Sequence, residues 1–177
     1  MKTIRESIAA LGVLFTVGVV AIFYSRLPET IATHFNAAGV ADGFGGRATL
    51  WLLVGNAIFV YGVMSAAPFL TSEQESAAKV PALELVGWVK AEIVWMIGYV
   101  CLGVVRNGLG LQETLGSAFL PVTLSVIGAT CGYHFVQMMR ATRAHRSLLN
   151  LTFVVEDSFT ALSSHKSTHS SGVVADF

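Results

Sequence analysis

Apolar residues fall into four long runs separated by short polar stretches. Residues 8–24 (IAALGVLFTVGVVAIFY) and 50–70 (LWLLVGNAIFVYGVMSAAPFL) carry no charged side chain. Residues 118–139 (AFLPVTLSVIGATCGYHFVQMM) add only His134 and Cys131 as titratable groups apart from tyrosine. Crossing about 30 Å of hydrocarbon takes about 20 mostly apolar residues in a helix, which satisfies its own backbone within the segment. These three runs meet that requirement. A fourth, at 85–105, does so less simply: Ile93–Val105 is too short to cross, and reaching back to Leu85 brings in Lys90 and Glu92. Lys90 is expected to snorkel to the interface, and Trp88 and Trp95 suit the aromatic belt at headgroup level. The pattern predicts an all-α integral membrane protein of four transmembrane helices joined by one ordered extracytoplasmic loop.

The domain organisation follows. Residues 1–139 form the four-helix transmembrane domain, with the loop at 25–49. Residues 140–177 form a basic segment (Arg140, Arg143, His145, Arg146) and then a Ser- and His-containing end whose last fifteen or so residues are expected to be disordered. The basic stretch suits anionic headgroups, and there is no internal repeat. Lys2 and Arg5 precede the first run as in a signal peptide, but no small-x-small cleavage site follows before Arg26, so an uncleaved anchor is expected. With both ends on one side, that side holds Lys2, Arg5, Lys79, Lys90, Arg140, Arg143, Arg146 and Lys166, eight cations. The other side holds three, Arg26, Arg47 and Arg106. Positive charge is retained in the cytoplasm, so both termini are expected there, in a multi-pass protein of the cell membrane.

Composition narrows the function classes. Hydrophobic residues make up 54% and charged residues 12%, and the mean hydropathy is +0.66, outside the usual soluble balance. Net charge is zero and there is no basic stripe interleaved with aromatics, which argues against nucleic acid as a partner. Cys101 and Cys131 both lie in apolar runs, where a thiol behaves as a small hydrophobe.

The 25–49 loop differs from the rest. Pro28 cannot donate a backbone hydrogen bond and biases Leu27 away from helix, so the first span ends nearby. Asn36 through Gly39 and Asp42-Gly43 are turn chemistry. His34, Asn36 and Asp42 place three polar groups within nine residues, flanked by Phe35 and Phe44 as interfacial anchors. One His and one Asp are too few to predict a metal site. The order Leu27-Pro28-Glu29, Ile31, His34-Phe35-Asn36, Gly39, Asp42 resembles the signature Leu-Pro-Asp/Glu-x-Ile-Pro-x-His-Phe-Asn-x-x-Gly-x-x-Asp. That signature marks the N-terminal module (domain of unknown function 1648) of the SdpI-like membrane proteins, relatives of the immunity protein against a bacterial sporulation-delaying toxin. The resemblance implies that His34, Phe35, Asn36, Gly39 and Asp42 take part in binding an extracytoplasmic toxin peptide or envelope component, in an immunity or signalling role. Ala32 stands where the family usually has Pro, which should loosen the start of the loop. The second loop of longer members has no counterpart here.

Other residues compete for a role. Glu92 and His134, the latter near Tyr133 and Gln137, are intramembrane polar candidates for a small transporter or ion-conducting subunit, against interfacial placement of Glu92 and structural use of His134. Gly128 and Gly132 form a Gly-x-x-x-Gly pair that permits close helix approach, within the bundle or between copies in a homo-oligomer. There is no phosphate-binding Gly-rich loop, no Gly-x-Ser-x-Gly elbow and no His-Glu-x-x-His. No enzyme, catalytic residue or cofactor is expected. The partners expected are the bilayer, the extracytoplasmic ligand and a cytoplasmic regulator held by the basic tail.

Overall fold

The computed structural model describes residues 2–70 and 78–170. The chain runs α1 (Lys2–Phe23), β1 (Thr30–Phe35), β2 (Ala41–Gly46), α2 (Leu50–Leu70), α3 (Lys79–Gly108) and α4 (Phe119–Ser170). Short 3-10 turns at Tyr24–Arg26 and Arg47–Thr49 flank the strands. All four helices contain a stretch long and apolar enough to cross a membrane, the pattern of a multi-pass membrane protein. Pro81 and Pro121 fall in the first turns of α3 and α4, where a missing N–H leaves no intrahelical bond unmade. Val40 of the hairpin bridges Thr114 and the Leu115 amide bonds the Gly39 carbonyl, so the hairpin and the α3–α4 connection share one end of the bundle. The N-terminus and the start of α3 lie at the other.

Helix α3 is central, packing against α1, α2 and α4. Lipid tails are as apolar as leucine, so helices associate through close packing rather than hydrophobic expulsion, and small residues permit it. The α1–α3 contact follows that rule. Ala9, Thr16 and Ala91 are buried, a Cβ added at Gly12 would meet Val94 at 2.9 Å, and one at Gly98 would meet Thr16 at 3.0 Å. Trp95 Nε1 donates to the Ile8 carbonyl at 3.0 Å. The main hydrophobic cluster sits at the hairpin end and joins Val19 and Val20 of α1, Leu27, Ile31, Leu50 and Val54, and Cys101, Val104 and Val105 of α3.

Several expectations change. The 25–49 loop is a two-stranded antiparallel hairpin, so the fold is not purely α. Ala32, near its start, is buried in β1 and paired with Phe44. The third helix is longer than residues 85–105, and Lys90 is buried against the protein. Side chains lean toward a helix N-terminus, and Lys90 does so, but its ammonium stops inside the protein against Glu6 and is 1% exposed. Glu92 follows on a half-buried position of the same helix. Trp95 bonds α1 while staying partly exposed.

The fourth helix does not stop at 139. It continues through the basic segment to Ser170, across half of the stretch expected to be disordered. Thr142, Ser147, Thr152 and Ser158 each bond the carbonyl four residues back, which satisfies hydroxyls that otherwise compete with helix. The last seven residues of the expected tail, 171–177, lie outside the described residues, as does the connection at 71–77. A Cβ at Gly128 or Gly132 would meet nothing within 4 Å among the described residues. The pair therefore makes no close contact inside the bundle, and that face is open.

Candidate functional site

The hairpin is built by its turn. Asn36 Oδ1 accepts from the amides of Ala38 at 3.0 Å and Val40 at 3.1 Å, an Asx cap that fixes the reversal. Gly39 has φ +77°, in the left-handed region where a side chain is strained. A Cβ there would also lie 3.1 Å from the Gly116 carbonyl oxygen. This close approach is used: the Leu115 amide donates to the Gly39 carbonyl at 2.8 Å, and Val40 bridges Thr114. The hairpin tip is thereby tied to the α3–α4 connection. Its base is held by Arg47, which donates to the Leu27 carbonyl at 3.1 Å and lies over the Tyr24 ring. Leu27 and Ile31 enter the hydrophobic cluster, against which Phe35 is also packed.

What the hairpin presents outward is different. Thr30, Ile31, Ala32 and Phe35 pair with Gly46, Gly45, Phe44 and Ala41, a frame that sets His34 opposite Asp42. A local irregularity pairs the backbone of His34 with Gly43 instead. A Cβ at Gly43 would lie 2.9 Å from the His34 Cβ, so only glycine fits beneath the ring. His34 Nδ1 and Asp42 Oδ1 are 2.5 Å apart, with the side chains 72% and 43% exposed. An ionised carboxylate only accepts, so opposite one Nδ1 is the donor. Asp42 orients the ring and leaves Nε2 to whatever approaches. Phe44 and Val40 are exposed beside this pair.

Of the five loop residues singled out from the sequence, the structure brings His34 and Asp42 together as a presenting pair. Asn36 and Gly39 build the turn, and Phe35, partly buried, packs against the hydrophobic cluster. Both intramembrane candidates lie at the α3–α4 contact. Thr130 Oγ1 donates to Glu92 Oε1 at 2.5 Å, and His134, 4% exposed, lines a cavity with Arg5, Glu84, Trp88 and Thr130. Glu92 Oε2 and His134 Nδ1 are buried without a partner among the described residues.

A further polar cluster was not foreseen. Lys90 Nζ donates to both oxygens of Glu6, at 2.6 and 2.7 Å, and to Ser65 Oγ at 3.0 Å, and lies over the Tyr61 ring. Beside it Arg5 pairs with Glu84 at 3.3 Å, in space left by Gly87. The only advance signal was that Arg5, Glu6, Glu84 and Lys90 are charged residues bordering apolar runs.

No curated protein and no solved structure matches the chain significantly. Residues 11–58, which take in most of α1, the whole hairpin and the start of α2, match the family described as a domain of unknown function, DUF1648.

Proposed function

We propose that the protein is a non-enzymatic membrane receptor whose hairpin captures an extracytoplasmic ligand, a toxin peptide or an envelope component, in the manner of an SdpI-like immunity or signalling module. The observation that carries this is the His34–Asp42 pair: an imidazole oriented by a carboxylate, exposed beside Phe44, on a hairpin anchored at both tip and base. Exposed polar groups on a rigid loop, with an apolar anchor next to them, suit recognition. A histidine needed only for the fold would be expected to turn toward a buried carbonyl. The excess of cations at the opposite end supports a hairpin that faces outward in the cell membrane, with both termini cytoplasmic. In this reading α4 and its basic residues meet a cytoplasmic regulator, and the open Gly128/Gly132 face accepts a second copy.

The test places a photo-crosslinking residue at Phe44 in intact cells exposed to the sporulation-delaying toxin peptide. An adduct with the peptide or an envelope component is expected, and it should disappear in His34→Ala and Asp42→Ala at equal membrane levels. Adducts of undiminished yield in both variants would overturn the proposal.

A further inference from the structure

A second site, independent of the hairpin, lies between α3 and α4. A cavity of about 450 Å³ is lined by Glu92, Trp95 and Tyr99 of α3 and by Phe119, Val122 and Val126 of α4, among others. Its volume is in the range of small-molecule sites. Glu92 is the sole acidic or basic side chain in the wall. One of its oxygens is bonded to Thr130; the other, Oε2, is buried and unpartnered among the described residues.

The nearby cations are committed elsewhere. Lys90 is two residues away on another helix face and is held by Glu6, Arg5 is held by Glu84, and His134 lines the adjoining cavity instead. The remaining wall is aromatic and aliphatic, with Tyr99 and Phe119 stacked at 4.9 Å. Aromatic faces carry negative potential and attract cations. The candidate span of α4 is 6% buried against 50% for α3, so the α4 wall of the groove lies at the outside of the bundle.

These features select one ligand chemistry. An anion would be repelled by Glu92, and a neutral acyl chain would offer the carboxylate no counter-charge. A small metal cation would need several oxygen ligands, which an apolar wall lacks. We infer that this groove binds a lipophilic organic cation from the membrane phase, with Glu92 as its counter-ion and Trp95, Tyr99 and Phe119 as its aromatic walls.

The test is equilibrium dialysis of tetraphenylphosphonium against the full chain in phosphatidylcholine nanodiscs, with tetraphenylborate as the anion of the same shape. Saturable one-to-one binding of the cation is expected, weakened about tenfold or more by Glu92→Gln and retained in part by Glu92→Asp, with no saturable binding of the anion. Val122→Trp fills the groove without changing its charge and should remove cation binding. Should Glu92→Gln aggregate, Val122→Trp decides. Cation binding that survives the variants, equal saturable binding of the borate, or uptake that scales with lipid alone overturns the inference.

Discussion

Two acid–base contacts of nearly equal length stand at opposite ends of this bundle. His34 and Asp42 meet at 2.5 Å with side chains 72% and 43% exposed; Lys90 and Glu6 meet at 2.6 Å with Lys90 1% exposed. Water surrounds the first pair, and such surface contacts contribute about 1 kcal/mol or less. For the second, the alternative to pairing is an isolated ammonium inside the protein, and breaking a buried pair on one side typically costs about 3–5 kcal/mol. Length is therefore no guide to energy, and the surroundings of each charge decide. The inner pair ties α1 to α3, while the outer pair adds little to stability.

The largest expected effect comes from the inner pair. Glu6→Gln removes the counter-charge of Lys90, leaving it Ser65, the Tyr61 ring and an amide oxygen, and should destabilise the protein by about 3 kcal/mol, read as a lower unfolding midpoint in detergent. Lys90→Met should cost less, because Glu6 is 42% exposed and can turn to water. The double variant should recover much of the loss; additive losses would mean that the two side chains are not coupled. Next is Gly12→Val, which drives methyl groups into Val94 and Trp95 and should cost about 1–3 kcal/mol in the same measurement. Gly39→Ala should cost about 1–2 kcal/mol, confined to the hairpin and seen as faster amide exchange at Asn36 and Leu115. The smallest effect on stability belongs to His34→Ala, under about 1 kcal/mol. A large drop in midpoint for that variant would erase the contrast between the two ends.

The contrast also explains what could be foreseen. Residues 50–70 stand out by length and lack of charge, and α2 has those bounds. The hairpin turn is legible because Asn36 and Gly39 act on their own neighbours. The strands beside it are not: Ala41–Gly46 contains three glycines, poor strand formers held here by pairing and by the cluster below. The Lys90–Glu6 contact joins residues 84 apart, and no local pattern names such a partner. Gly128 and Gly132 carry a recognised spacing yet approach nothing closely among the described residues, whereas Gly12 and Gly98 make the close approach without one. The length of α4 was hidden because its distal polar residues favour helix weakly, and their hydroxyls find carbonyls only once the helix exists.

That length has a mechanical meaning. A helix of 52 residues extends about 78 Å at about 1.5 Å per residue, more than twice the hydrocarbon thickness of about 30 Å. Its root begins three residues after Gly116, against which the hairpin tip is fastened. A tilt of about 10° at that fastening would swing the far end of a rod this long through about 14 Å. The fastening of the hairpin tip thus sits at the root of a helix that reaches far beyond the thickness its apolar part could span.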